Sequence, residues 1–369
     1  MAASGDDTIG VEEEFFLVDA ATTALVPRGG EIVDAGGGQF EAEFHQALVE
    51  NASDVCTDLV DLGRQLGDRR ARLAQLAGER GLRIISAGTT PIADLGAQEV
   101  TDSPRFHRML DDYQQLAREQ LICGSQTHIG FADRDESIGV MNRVRPWLPV
   151  LLALSASSPY FAGADTGYAS YRTQVWTRWP TSGMPAAFDS WEQYQEVTAG
   201  LVDSGAIADT AMLYWWLRPS QHVPTLEFRV ADAATTVEEA VMLAGLSRAI
   251  ADHARGEIRD GRPAELIRPE WLAVATWRAG RFGLDGELLD PVGGAAVAAS
   301  ELVRTLVGIV DAHLGTGAER DVVLGTLEAV MASGSSATRQ RAAFQRRGRM
   351  EDVVEHLVAE TAEGLPARP

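Results

Sequence analysis

No lysine occurs among the 369 residues; all 32 basic residues are arginine. A Walker-type phosphate lysine, a Schiff base with a carbonyl substrate and a lysine nucleophile are therefore excluded. Any phosphate the chain handles must be met by arginine, backbone N–H groups and metal ions. Positive charge is also outnumbered, since 53 acidic residues leave a net charge of −21. That balance argues against nucleic acid or an anionic membrane as a partner. Cysteine is scarce: Cys56 and Cys123 form no CxxC or zinc spacing, which predicts a reducing cytoplasm and two small buried apolar side chains. The longest apolar run, around residues 149–154, falls far short of the roughly 20 residues a membrane helix needs. The N-terminal MAASGDDTIGVEEE has neither a basic start nor an apolar centre, so no signal peptide is expected. What is present is a hydrophobic share of 45% against 23% charged, sufficient for a sizeable core.

The first 230 residues mix strand and helix patterns, and the remainder reads as helix. Residues 9–18 (IGVEEEFFLV) are strand-like, and 39–45 (QFEAEFH) alternate at period two. Leu59, Leu62, Leu66, Leu73 and Leu76 recur at helical spacing within 58–80, with Gly81 as a stop. Strand patterns return at 82–86, 123–132 and 225–230; helices are expected over 105–121 and 142–157, with a long loop over 163–185. Glycines at 29–30 and 36–38 mark turns, but no strand-to-helix frame for a dinucleotide fingerprint surrounds them. From Thr236, a capping residue followed by Glu238 and Glu239, helices run to about residue 361. The pattern predicts an α+β protein with an antiparallel sheet. It is read as a single catalytic unit over 1–369, mixed strand and helix over 8–235 and mainly helical over 236–363.

Acids on strands are the informative feature. Glu12 and Glu14 share a strand face, about 6.6–6.8 Å apart along the backbone. Glu41 and Glu43 repeat the spacing, Glu50 follows, and Glu227 shares a face with Arg229 in TLEFRV. For one strand, a solvated face explains such acids. Three strands, each flanked by phenylalanines, favour a semi-buried acidic cavity instead, and like charges there call for hard divalent cations. Oxygen ligands without clustered His or Cys point to Mg2+ or Mn2+.

TIGVEEEFFLVD, EFHQALVE, SAGTTPIADL, ICGSQTHIG, MNRVRPWLP, GYASYRTQVWTRWPTSGMP, RPSQHVPTLEFRVADAATTVEEA and WRAGRFGLDGELLDP, in this order, resemble the type 2 glutamate–cysteine ligase family. That family, also called carboxylate–amine ligases, belongs to the glutamine synthetase superfamily. The resemblance implies an antiparallel sheet funnel of the glutamine synthetase catalytic type, with ATP entering one end and amino acids the other. It implies metal ligation by Glu12, Glu14, Glu43, Glu50, Gln126 and Glu227, and a catalytic Arg229 facing the transferring phosphoryl group. Relatives often show His-x-His where this chain has Gln126-Thr127-His128, a departure that bears on metal affinity and rate. Arg172, Arg218 and His128 are candidates for substrate binding.

The expected function is ATP-dependent carboxylate–amine ligation through an acyl phosphate, with γ-glutamyl phosphate the expected species and cysteine or another amine as acceptor. Open alternatives are the same chemistry on other substrates in specialised metabolism, or a metal- and nucleotide-binding homologue without turnover. Partners are small molecules and ATP, with no nucleic acid or membrane and with room for a homodimer. Arg178 is balanced between substrate and structural roles, and His45 and His222 are expected to be structural. The arginine-rich run 339–349 reads as a solvated helical face.

Overall fold

β-Branched and aromatic residues crowd IGVEEEFFLVD, which forms the longest strand among the described residues, β1 (Ile9–Asp19). A computed structural model describes residues 7–221, 223–265 and 267–366; His222 lies outside them. Six shorter strands join β1 in one sheet: β2 (Phe40–Ala42), β3 (Leu48–Ala52), β4 (Leu82–Ile85), β5 (Ser125–Gly130), β6 (Leu217–Pro219) and β7 (Thr225–Phe228). The order is β2-β3-β1-β5-β7-β6, with β4 on the far half of β1, and every pairing is antiparallel. The expected α+β class with an antiparallel sheet is what the chain adopts.

Both faces of the far half of β1 are covered. Phe15 and Leu17 pack with Leu73 and Leu76 of helix α1 (Leu59–Gly78), whose first turn is capped by Asp58 accepting from the Asp61 N–H at 2.8 Å. Phe16 and Val18, on the other face, pack with Val353, Val354 and Leu357 of a C-terminal helix. On the near half of that second face, Glu12 and Glu14 open into a cavity.

Further helices include α2 (Arg172–Trp176), α3 (Val237–Arg259), α4 (Pro269–Phe282) and the C-terminal α5 (Met350–Thr361). Thr236 and Glu239 form a reciprocal capping box at the start of α3. One buried apolar cluster runs from Ile9 to Val330, joining the strand-bearing and helical parts. No helix among the described residues is long and apolar enough to cross a membrane.

Local differences from the sequence reading have physical causes. The expected helix over 105–121 breaks at Gln114, whose φ is +49°. The one over 142–157 is interrupted by a 3-10 turn at Arg145–Trp147, where Pro146 lacks an N–H for a helical bond. α2 sits within the expected loop, β3 and β6 went unread, and a ribbon of Glu287–Leu289 with Ala296–Ala298 interrupts the helical part.

Candidate active site

Alternation divides the EEE run of β1 by parity. Glu12 and Glu14 line a cavity of about 420 Å3. Glu13 points the other way and is buried against the Arg70 guanidinium of α1, which also donates to the Thr235 and Ala234 carbonyls at 2.8 and 2.9 Å.

Register then assembles two clusters on the cavity side. Glu50 of β3 stands directly across from Glu14, and Glu43, just past β2, adds a third carboxylate. One oxygen from each lies within 4.8 Å of the others. Glu12 meets His128 and Glu227, which face each other across β5 and β7, and their ligand atoms satisfy the same limit. His128 Nε2 is 3.1 Å from Glu12 Oε1, while its Nδ1 is held by Thr225 Oγ1 at 2.9 Å, which orients the ring.

Charge compensation differs sharply between the clusters. Burial and the Glu43 carboxylate push Glu14 up to about 7, against the pull of Arg172, the Gly124 N–H at 2.6 Å and Arg229. Burial, hydrogen bonding with Glu43 and repulsion from its carboxylate raise Glu50 well above the usual range, with Glu12 and Glu14 adding to the effect. At Glu227 burial acts in the same upward direction, but Arg229, Arg218 and His128 overcome it and hold the carboxyl well below its ordinary value. Burial would lower His128, yet its hydrogen bond to Glu12 and the Glu227 charge leave it raised.

Arg229 and Gln126 tie the clusters together. Arg229 Nη1 donates to Glu227 and to the Gln126 Oε1, and Gln126 Nε2 donates to Glu14 at 3.2 Å. Gln126 is therefore engaged as a bridge between Arg229 and Glu14, while His128 stands with Glu12 and Glu227. Arg218 does not line the cavity: it donates to Glu227 at 2.7 Å and to the Leu213 and Ala211 carbonyls at 2.6 and 3.1 Å, so it positions Glu227. Arg172 does line it, with its guanidinium 4.4 Å from the Trp176 ring centre; Arg229 lies 5.5 Å from the same ring.

Sequence reasoning missed Asp232. It is fully buried, lies 3.8 Å from the Arg172 guanidinium and accepts from Ser158 and Ser170 at 2.6 and 2.8 Å, fixing the segment that carries Arg172. Its place just after TLEFRV, in a buried-strand context, was the available signal. Arg178 pairs with Glu119 outside the cavity. His45, bonded to the Ala117 carbonyl at 3.2 Å, is pulled down to about 4 by burial. The run 339–349 is largely paired rather than freely solvated: Arg339 bridges Glu239 and Glu360, and Arg341 bonds Asp165.

Carboxylate oxygens with one imidazole are a donor set for hard divalent cations, and the upward shifts at Glu14 and Glu50 reflect burial together with mutual repulsion, both of which a bound cation would offset. The residues present fit Mg2+ or Mn2+.

The profile of glutamate-cysteine ligase family 2 matches residues 8–356. A Frankia casuarinae protein named "Putative glutamate--cysteine ligase 2-2" is 44% identical over 360 residues, covering 97% of this chain and 42% of the relative. A Mycolicibacterium smegmatis protein of the same name is 41% identical, covering 96% of this chain and 90% of the relative. The chain thus spans less than half of the first relative and nine-tenths of the second. Among solved structures, a glutamate–cysteine ligase of Francisella tularensis in complex with AMP superposes with a TM-score of 0.75 at 12% identity, covering 98% of this chain and 90% of that one. A bifunctional glutathione synthetase of Pasteurella multocida gives 0.71 at 15%, covering 96% of this chain and 52% of that one. These two likenesses concern the fold.

Proposed function

The chain belongs to glutamate–cysteine ligase family 2, and on that premise we propose that it is an ATP-dependent carboxylate–amine ligase working as one catalytic unit. The observation that carries the reading is the pair of acidic clusters joined by Arg229 and Gln126, with Glu14, Glu43 and Glu50 of one and Glu12 of the other lining the same cavity. Glu12, His128 and Glu227 would hold one divalent cation and Glu14, Glu43 and Glu50 another. Cations bound there would offset the charge of the triphosphate, which otherwise repels an attacking carboxylate.

In the proposed sequence a donor carboxylate oxygen bonds to the γ-phosphorus of ATP as the bond to ADP breaks, leaving an acyl phosphate. An amine then attacks the acyl carbon, phosphate departs with the bonding electrons, and the amine nitrogen gives up a proton. Arg229 supplies fixed positive charge where negative charge spreads over the transferring group. Arg172, buried on the cavity wall beside Trp176, is placed to receive a substrate carboxylate or phosphate. No protein nucleophile is needed. L-Glutamate through its γ-carboxylate is the proposed donor, with cysteine or another amine as acceptor.

Incubation with ATP, Mg2+, glutamate and a panel of amines tests this. ADP, phosphate and a γ-glutamyl amide identified by mass are expected. AMP with pyrophosphate would refute the acyl phosphate route, and ADP without an amide from any amine would refute ligation.

A further inference from the structure

Buried arginines elsewhere among the described residues stand beside an acid: Arg70 with Glu13, Arg172 with Asp232 and Arg255 with Asp252. Arg145 breaks the pattern. It is 6% exposed, its Nε has no hydrogen-bond partner, and among the described residues no carboxylate stands within ion-pair distance. Burial alone acts on its pKa and draws it down. An uncompensated buried guanidinium is costly, so the fold retains it against a stability gradient.

Arg145 does not end in packed core. It lines a second cavity, of about 470 Å3, distinct from the acidic one. The indole Nε1 of Trp216, on the same cavity, is also buried and unpartnered, with Trp216 only 3% exposed. Arg145 and Trp216, each carrying a buried N–H without a partner, therefore line one cavity. Its other walls are apolar or neutral, including Met184, Thr276 and Trp277, and no Asp or Glu is among them. In a chain of net charge −21, a cavity with one cation and no acid is selective for an anion. Five donor hydrogens on a planar fork suit a carboxylate, and the aromatic and aliphatic walls suit an apolar body attached to it.

From this geometry we infer that the Arg145–Trp216 cavity is a second small-molecule site, taking a carboxylate that carries an apolar or aromatic body. The site is separate from the acidic clusters but shares a wall with their cavity. Gln174 and Thr177 face it from α2 and its end, whereas Arg172 and Trp176 of the same helix face the acidic side. The Trp216 carbonyl also accepts the Arg229 N–H at 2.8 Å.

Because Trp216 and Trp277 line the cavity, occupancy is readable in tryptophan fluorescence. The full chain is titrated with 3-phenylpropionate and hexanoate, against their neutral amides and sodium chloride as controls. Saturable binding of the acids is expected, with the amides and chloride inactive. Arg145→Gln should weaken binding roughly tenfold to a hundredfold, the worth of charge-assisted hydrogen bonds. Ala273→Trp, which fills the cavity, should abolish it, and Arg172→Gln should leave it unchanged. Trp216→Phe, which removes only the indole donor, should weaken it severalfold and keeps the test open if Arg145→Gln does not fold. The inference is overturned if neither acid binds or if chloride matches the acids. Binding that survives in Arg145→Gln, or that disappears in Arg172→Gln because the acids sit in the acidic cavity, overturns it equally. None of these readouts depends on ligase turnover.

Discussion

Arg229 holds one positive charge between two groups of acids, and its bonds explain why it resists a purely structural reading. Glu227 already has Arg218 as a partner through Nε at 2.7 Å, so removing Arg229 does not leave that carboxylate uncompensated. Arg229→Ala is therefore expected to fold with a near-normal melting temperature. Its kcat should fall by roughly 10³-fold, as expected of a phosphoryl-stabilising arginine, with a much smaller loss of nucleotide affinity. Arg229→Lys should recover part of the rate, since it restores charge without the planar fork. A stable Arg229→Ala variant with near-normal kcat would remove this residue from the mechanism. Glu13, one position from two proposed ligands, has the opposite profile. Its carboxylate is buried against Arg70, so Arg70→Met leaves an unpaired buried charge and should cost about 3–5 kcal/mol in urea unfolding. That variant's dependence on Mg2+, measured at a temperature where it remains folded, should match the parent.

At the scale of the element, the sheet sets carboxylates opposite one another where cross-strand like charges weaken pairing: Glu14 faces Glu50, and Glu50 faces Glu41. Glu50→Gln should thus stabilise the metal-free protein by about 1 kcal/mol while reducing the rise in melting temperature on adding Mg2+. If Glu50→Gln melts lower than the parent without metal, the cluster is not a site of stored repulsion. How much of this was legible depends on range along the chain. Strand β1 comes from its local run of β-branched and aromatic residues, the shared face of Glu12 and Glu14 from the two-residue period of a strand, and α1 and the Thr236 cap from the helical leucine spacing and a capping residue. β3 was missed because LVENA is short and does not alternate in polarity, so Glu50 had no strand assigned to it. Pairing of His128 with Glu227 is a matter of register between segments almost a hundred residues apart, which no local pattern encodes. The turn at Arg145 hides inside an apolar run that reads as continuous helix, although Pro146 marked the interruption.

Across the whole molecule, a net charge of −21 makes any cation stabilising to some degree by screening self-repulsion. A melting-temperature rise in Mg2+ alone therefore says little about a site. Ionic strength separates the two contributions. Ion pairs respond to bulk salt according to their exposure, so Arg83 with Glu355, which ties β4 to α5, responds more than the half-buried Arg339 with Glu239 and Glu360. In 0.5 M NaCl the screening length is about 4 Å, so the general acidic repulsion is already damped and further Mg2+ can add little through it. Ligand atoms grouped within 4.8 Å and set in a partly buried cavity are different, because a cation there contacts them directly. In 0.5 M NaCl, millimolar Mg2+ should still raise the melting temperature of the parent, and saturably so, as expected for a ligand that binds the folded state. The same addition should do markedly less for Glu14→Gln and for Glu227→Gln, each of which takes a carboxylate from a different cluster, and least for the double variant. A Mg2+ effect that vanishes in NaCl, or that persists undiminished in the double variant, would assign the stabilisation to charge screening and withdraw both clusters as metal sites.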